Sequence, residues 1–323
     1  QMCIRDRFSM TSAWDVSTMI DSGDFVSVGS QDTNPRAAVL STDGTKMFVV
    51  GDTSDSLISY DLSVPWQLDS ATPTGTELVL TPATVPAALF VRTDDETKAY
   101  VAGESGTGLI YQYDVAGESV ATIATETVAG SVKLASQADV NAGTDTSKSI
   151  TPATLNTWGR PEDEMPTTQW LPEGYQLSGG SYDNISYLHT GLQSGEGIFW
   201  KPDGLKFYLI GLTDSPNLYE YTVSSAWDIT TVTGSASIDI TEDPNFAGIF
   251  FKPDGLKMYL VSFNTPKIWQ YTLSVAWDVT SATYDTVFFT IPGTESGQGI
   301  FFKPDGTSVF FVGSFTNSVK RFD

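Results

Sequence analysis

Aspartate recurs in this chain at a fixed interval, which makes it the first residue type to consider for acid–base or metal chemistry. The sequence Lys-Pro-Asp-Gly occurs three times, with its aspartates at Asp203, Asp254 and Asp305, 51 residues apart. Carboxylates that converge on one point could act as general acids or hold a cation. In each copy, however, the proline presets φ and the following glycine can take the positive φ that closes a tight turn. We therefore interpret these aspartates as turn residues.

Histidine offers little further chemistry. His189 is the only histidine in the chain, so a Ser/His/Asp triad or a histidine metal site would have to include it. It lies in an apolar run that reads as an outer strand, where an ordinary packed or exposed histidine is the expected outcome. The sequence therefore predicts a protein that is not an enzyme, and no cofactor is expected.

The repeated turn belongs to a longer unit of four β-rich runs. In one unit these runs are 248–251, 256–261, 268–273 and 286–290, with Ala-Trp-Asp at 276–278. Weaker copies of the turn follow Thr42 and Thr93, and the tryptophan returns as Trp14, Trp66 and Trp227. Four-stranded units that repeat at this length indicate a β-propeller, because no unit can bury both of its faces alone. We predict an all-β fold with about five blades, or six if the irregular middle of the chain is a degenerate blade.

This unit resembles the YVTN, NHL and WD-type propeller repeats, in which a hydrophobic first strand ends in a Pro-Asp-Gly turn. The resemblance covers most of the chain and predicts its fold, not its function. The last unit stops after its third run, at 319–322, whereas residues 13–28 read as a fourth run. We expect this N-terminal strand to complete the last blade, because closure removes the exposed edges of the ring.

Departures from the repeat divide the chain into four segments. Residues 1–7, which contain the only cysteine, Cys3, resemble translated sequencing-adapter DNA from the end of a metagenomic contig, and we interpret them as foreign to the protein. Residues 8–123 hold the closing strand and the first two blades, and residues 174–323 hold the rest of the propeller. Residues 124–173 read as an insertion about one unit long, mostly irregular with short helices.

The first part of the insertion resembles a motif of tailed-phage tail fibres. Residues 124–155 read ATETVAGSVKLASQADVNAGTDTSKSITPATL, with Ser136 and Asp139 where the motif usually has threonine and glutamate. In tail fibres this motif joins modules along a trimeric shaft. The resemblance implies a location in the virion tail, with other virion tail proteins as partners and a homotrimer as one form of assembly. Rich in alanine, serine and threonine, the segment itself predicts only short helices that cannot support a core.

The same segment contains a weak candidate for calcium binding. Asp139, Asn141 and Asp145 place oxygen ligands at alternating positions, as calcium loops do. The pattern lacks an acidic fifth residue, a glycine at the sixth position and a glutamate at the twelfth, where Ile150 stands. We therefore predict no metal site, because the fibre motif accounts for these residues without one.

Composition excludes two classes of partner. The chain has 39 acidic and 17 basic residues and a formal net charge of −22, so it lacks the basic footprint that nucleic-acid binding needs. No run approaches the roughly 18 apolar residues of a membrane span, and no membrane insertion is expected.

Enzymes built on propellers work in the axial funnel, near the start of each first strand. The five positions there are Arg36, Ala87, Glu196, Ala247 and Gln298. They offer no convergent carboxylates or histidines, so a propeller hydrolase or lactonase is a weak alternative. Arg36 and Glu196 form the only ionisable pair that could share a function.

The loops between second and third strands offer a binding surface instead. Phe263 with Asn264 and Phe315 with Asn317 place aromatic faces beside amides, the combination that sugar recognition uses. We predict a non-enzymatic virion protein whose propeller attaches to a host-surface glycan or protein, or serves as a structural module. The alternative is an extracellular or surface interaction propeller of a bacterium, which shares every feature except the insertion motif.

Overall fold

The computed structural model describes residues 12–83, 85–92, 97–103, 108–115, 133–134, 148–149, 177, 180–189, 191–192, 194–211, 217–243, 245–293 and 296–323. By its contacts the chain divides into two compact units, one of residues 1–117 and 175–323 and the other of residues 118–174. The adapter-like residues 1–7, the predicted short helices and the three calcium candidates all lie outside the described residues.

The described strands are numbered in chain order. They are β1 (Asp21–Ser27), β2 (Pro35–Leu40), β3 (Lys46–Gly51), β4 (Ser56–Leu62), β5 (Ala71–Val79), β6 (Pro86–Val91), β7 (Lys98–Gly103), β8 (Leu109–Asp114), β9 (Lys133–Leu134), β10 (Lys148–Ser149), β11 (Ser181–Leu188), β12 (Gly197–Trp200), β13 (Lys206–Ile210), β14 (Leu218–Val223), β15 (Val232–Ile238), β16 (Phe246–Phe251), β17 (Lys257–Ser262), β18 (Lys267–Leu273), β19 (Ala282–Thr290), β20 (Gly297–Phe302), β21 (Val309–Gly313) and β22 (Ser318–Phe322).

Twenty of these strands form five antiparallel sheets of four. Blade 1 is β2-β3-β4-β5, blade 2 is β6-β7-β8-β11, blade 3 is β12 to β15, blade 4 is β16 to β19, and blade 5 is β20-β21-β22-β1. The first strands of successive blades contact one another in a closed circle, since β2 meets both β6 and β20. The all-β propeller prediction is confirmed, and the number of blades is five. In the second unit, the two-residue strands β9 and β10 pair in parallel.

The predicted closure of the ring by the N-terminal strand is also confirmed. β1 pairs antiparallel with β22, placing Asp24 opposite Arg321. Beyond the ladder, Ile20 and Asp323 exchange backbone hydrogen bonds of 2.6 and 2.9 Å. The last blade therefore has no open outer edge at β22. Within the described residues, no helix is long and apolar enough to cross a membrane.

In blades 1, 3, 4 and 5, the turn after the first strand is fixed by its aspartate and its glycine. In blade 4, Gly255 has φ +72°, and the Oδ1 atom of Asp254 accepts the backbone N–H of Leu256 at 3.0 Å. Burial opposes ionisation of Asp254, but the hydrogen bonds from Lys252 and Leu256 outweigh it and lower the pKa of this carboxyl group. The aspartate is thus held within its own turn, which agrees with the turn interpretation.

The recurring tryptophan packs on that glycine. A Cβ atom on Gly255 would lie 2.4 Å from the Trp277 indole, and the backbone N–H of Trp277 donates to the Gly255 carbonyl at 3.0 Å. The next residue, Asp278, accepts the backbone N–H of Thr280 with its carboxylate at 3.0 Å and starts the 3-10 turn Val279–Ser281. The tryptophan therefore closes the blade at its turn end, and Trp14, Trp66 and Trp227 pack on their own glycines in the same way.

The same tryptophans connect neighbouring blades. Tyr208 of blade 3 donates its hydroxyl to the Trp277 carbonyl at 2.9 Å, and Tyr259 of blade 4 donates to the Trp14 carbonyl at 2.6 Å. Between blades 5 and 1, where no such tyrosine stands, Arg321 donates to the Trp66 carbonyl at 3.1 Å. Each of these contacts satisfies a backbone carbonyl while fixing one blade against the next.

Small residues line the axis where the first strands approach. The positions are Ala37, Ala88, Gly197, Gly248 and Gly299. A Cβ atom on Gly248 would lie 3.1 Å from the Gln298 carbonyl oxygen and 3.3 Å from the Cα atom of Gly299. Larger side chains here would push the first strands apart. These small residues therefore allow the first strands to come as close together as a narrow, five-bladed ring requires.

Candidate functional site

The five predicted funnel positions lie where the ladder of each first strand is interrupted. In blade 1, Pro35 pairs with Gly51 and Ala37 pairs with Val50, so Arg36 is an extra residue without a partner position in β3. The same register shift makes an extra residue of Ala87, Ala247 and Gln298 in their blades. In blade 3, the Glu196 N–H donates to the Ile210 carbonyl at 2.9 Å, although Ile210 already pairs with Gly197. A β-bulge re-aims the side chain of its extra residue. The repeat thus turns this one side chain of every blade away from the regular pleat.

The axial channel between these residues is narrow. A cavity of about 30 Å³ is lined by Glu196, Ala247 and Gln298 together with the small residues of the axis. It has room for about one or two water molecules. Glu196 is buried and accepts the hydroxyl of Ser194. That Glu196 and Arg36 share a function remains a prediction.

A larger pocket opens at the same end of the axis, between blades 4, 5 and 1. This polar pocket has a volume of about 350 Å³ and is lined by Asn34, Arg36, Phe263, Asn264, Ser296, Gln298, Ser314 and Phe315. It brings together three of the four predicted loop residues and two of the predicted funnel positions. The fourth loop residue, Asn317, lies outside it and packs on Gly29, with its carbonyl accepting the Val28 N–H at 2.8 Å.

Hydrogen bonds fix the polar groups of the pocket. Arg36 donates to the Asp52 carboxylate at 2.9 and 3.3 Å and to the Gln298 side-chain oxygen at 3.3 Å. Gln298 in turn donates from its amide nitrogen to the Ser314 hydroxyl at 3.2 Å, so the orientation of its amide is set. Asn34 donates to the same Asp52 oxygen at 2.6 Å. The positive charge of Arg36 therefore faces a carboxylate within its own blade.

The two phenylalanines lie on loops of neighbouring blades, and hydrogen bonds hold the loop of Phe263 in place. Phe263 donates its N–H to the Asn245 carbonyl at 2.7 Å, and its own carbonyl accepts the Ser296 hydroxyl at 3.0 Å. Phe315 is 73% exposed at the turn between β21 and β22. The pocket therefore presents an exposed aromatic face beside fixed amide and hydroxyl groups.

Sequence reasoning missed Asn34 and Ser296 as pocket residues. Each stands two positions before a funnel residue, Arg36 or Gln298, so the register of the repeat contains the signal that identifies them. It does not reveal that loops from blades 4, 5 and 1 share one pocket, because that depends on closure of the ring.

His189 is a packed, structural histidine. It is 4% exposed, and its Nε2 atom accepts the backbone N–H of Gly191 at 3.1 Å and that of Leu192. Its Nδ1 atom contacts the Tyr221 hydroxyl, and its ring packs edge-on against Tyr219 at 4.7 Å. Burial lowers the pKa of His189 to about 4 from its ordinary value of 6.5. Both ring nitrogens thus serve the packing of blades 2 and 3.

This histidine should make the protein sensitive to acid. Between pH 6.5 and about 4, His189 binds a proton in the unfolded chain but stays neutral in the folded protein. The stability that packed, neutral His189 contributes is therefore complete above pH 6.5 and is lost as the pH falls towards 4. The shift corresponds to about 3 kcal/mol of unfolding free energy. We expect denaturant unfolding to show that His189→Gln is destabilised at pH 7, with the gap to wild type smaller by about that amount at pH 4. A gap that is constant from pH 7 to pH 4 would contradict this account.

Within the residues that the structure describes, no group of three or more histidine, cysteine, aspartate or glutamate side chains is arranged to hold a metal. Asp139, Asn141 and Asp145 lie outside them, so weak calcium binding by these residues stays untested.

Comparisons with known proteins assign no family to this chain. The sequence matches no protein-family model, and no curated protein matches it. Many solved structures are similar, among them that of a "putative 6-phosphogluconolactonase" from Bacteroides uniformis, at 11% identity and a TM-score of 0.44. That match covers 86% of this chain, which spans 63% of the length of the other protein. A likeness at this level carries no argument about activity, and the tail-fibre resemblance of residues 124–155 stays a prediction. The described chain is a five-bladed β-propeller with four-stranded antiparallel blades.

Proposed function

We propose that this chain is a non-enzymatic binding protein of a phage tail, and that its polar pocket recognises an uncharged carbohydrate on the host surface. The observation that carries the proposal is the juxtaposition of Phe315 and Phe263 with the amides of Asn34, Asn264 and Gln298 in one open pocket.

The chemistry of the pocket suits a sugar. The apolar face of a pyranose packs on an aromatic side chain, and its hydroxyl groups need donors and acceptors at fixed positions. Phe315 provides the exposed face, and the orientation of the Gln298 amide is fixed by Arg36 and Ser314. A volume of about 350 Å³ is at the lower end of the range for ligand pockets and suits one or two sugar rings.

Charge favours a neutral ligand. Arg36 is the cationic side chain of the pocket, and its guanidinium already donates twice to Asp52. The formal net charge of −22 repels an anionic glycan at long range. A neutral hexose or N-acetylhexosamine therefore fits better than a uronic or sialic acid.

The non-enzymatic and virion parts of the proposal have separate support. A triad would need His189, and both of its ring nitrogens are engaged in packing contacts. The tail location is supported by the resemblance of residues 124–155 to the tail-fibre motif, which also implies other virion tail proteins as partners and a homotrimer as one form of assembly.

The test is binding of the chain to a glycan array and to intact bacterial cells, with and without calcium. We expect saturable binding to neutral glycans, recovery of the glycan unchanged, and affinity about tenfold lower for Phe315→Ala, because a lost aromatic contact costs about 1.4 kcal/mol. Phe263→Ala should weaken the same interaction.

Phe25→Ala is the matched control, since Phe25 is also exposed but lies on β1, the outer strand of blade 5. It should bind like the wild type. Equal affinities for Phe315→Ala and Phe25→Ala, or a glycan cleaved during incubation, would refute the proposal.

A further inference from the structure

The opposite end of the axis carries an apolar cavity of about 230 Å³, where the first strands end. Its wall contains one side chain from the same place in each first strand, which is the fifth position of β2, β6, β16 and β20 and the third position of the shorter β12. These residues are Val39, Phe90, Phe199, Phe250 and Phe301. We call this cavity the apolar bowl.

The four phenylalanines of the bowl form a continuous aromatic arc. Phe90 meets Phe199 at 5.6 Å, Phe199 meets Phe250 at 5.3 Å, and Phe250 meets Phe301 at 5.6 Å, with interplanar angles of 71–74°. This edge-to-face geometry is favourable for aromatic pairs. The arc is interrupted at blade 1, where Val39 takes the fifth position.

Blade 1 is also smaller in the layer below. Its fourth position is Ala38, whereas the other blades have Leu89, Ile198, Ile249 and Ile300 there, all four lining the bowl. Two truncated side chains in one blade leave open space that regular repeats would fill. The bowl is therefore a property of the sequence of blade 1 and not of the propeller fold as such.

The mouth of the bowl lies among the Pro-Asp-Gly turns, whose charges are paired internally. Lys252 and Lys303 lie 2.7 Å from the aspartates of their own turns, and Lys201 lies 2.6 Å from Asp203. Pro202, Pro253 and Pro304 contribute to the lining. Nothing in this chemistry compensates the desolvation of a charged ligand.

We infer that the apolar bowl is a binding site for a free, small, uncharged hydrophobic molecule of about the size of one substituted aromatic ring. A cavity of about 150 Å³ lined by leucine, isoleucine and phenylalanine, engineered in another protein, is sufficient to bind benzene. The ring of the bound molecule would occupy the gap in the aromatic arc beside Val39. This inference does not depend on the proposed function, which uses the other end of the axis.

Toluene and benzoate are suitable probes, because they share the ring and differ in charge. We expect toluene to raise the melting temperature saturably, as any ligand selective for the folded state does, and benzoate to have no effect. Val39→Phe should complete the arc, fill the bowl and weaken toluene binding at least about tenfold. Val79→Phe is the matched control, since Val79 is exposed on β5 of the same blade and should retain the toluene effect.

Ala38→Leu supplies a second way of filling the bowl, which decides the question if Val39→Phe does not fold. Its circular dichroism should match the wild type while the toluene effect is lost. The inference is overturned if toluene gives no saturable shift, if benzoate binds as well as toluene, or if a folded Val39→Phe or Ala38→Leu variant responds like Val79→Phe.

Discussion

A chain that begins at residue 28 is expected not to form a stable ring, whereas a chain that begins at residue 12 should melt like the full sequence. Removal of residues 12–27 exposes the edge of β22 and deletes the buried side chains of Val16 and Met19 and the half-buried Trp14. Burial of these three alone contributes about 5 kcal/mol, which is comparable with the total stability of a typical domain. Thermal melting by circular dichroism and size-exclusion chromatography measure the loss.

Restoring the strand as a separate peptide provides the control for this deletion. A synthetic peptide of residues 12–27 should bind the shortened chain and recover its melting transition, because the missing contacts are those between β1 and β22 and between Trp14 and Tyr259. If the chain from residue 28 melts within a few degrees of the chain from residue 12, ring closure does not stabilise this protein as described.

Gly255→Ala is expected to lower the free energy of unfolding by about 3 kcal/mol or more, in the range of severe core substitutions. The alanine would have to adopt a positive φ, and its Cβ atom would meet the Trp277 indole, which packs 5.6 Å from Phe251. The backbone carbonyl of Trp277 also accepts the Tyr208 hydroxyl. Displacement of Trp277 therefore weakens both its own blade and its contact with blade 3. Urea denaturation followed by tryptophan fluorescence measures the change.

Gly75→Ala separates the two causes. Gly75 has φ +76°, close to that of Gly255, but a Cβ atom there would meet nothing within 4 Å. It should lose only about 1 kcal/mol, the cost of the left-handed backbone. Similar losses for Gly255→Ala and Gly75→Ala would show that the indole contact contributes nothing.

The sequence was sufficient for the architecture because the signals for it are local. The Asp-Gly turns fix where four of the five first hairpins close, and the missing fourth run after Phe322 predicts the strand that closes the ring. The backbone conformation of the recurring tryptophans could not be predicted from the sequence. Trp66, Trp227 and Trp277 adopt φ of +64 to +65°, which local preference disfavours for a bulky residue. Packing of each indole on an aromatic side chain of the preceding blade offsets this cost.

The candidate site was predictable in its residue types but not in its geometry. Phe263 and Phe315 were identified because aromatic residues in loops beside amides are suited to sugars. Their convergence with Arg36 depends on the ring, which brings Gln298 within 3.3 Å of a residue 262 positions away. The apolar bowl was also hidden, because a gap in an aromatic arc becomes visible only when all five first strands are placed together.

We propose that the polar end of the axis binds a glycan through Phe315 and Phe263. The most direct measurement is NMR of the chain with ¹³C-labelled phenylalanine, titrated with the neutral glycan that binds best on the array. The account predicts that, of the 18 phenylalanines, Phe263 and Phe315 show the largest shifts and that the arc of Phe90, Phe199, Phe250 and Phe301 is unaffected. Shifts confined to the arc, or absent from Phe263 and Phe315 at saturation, would contradict it.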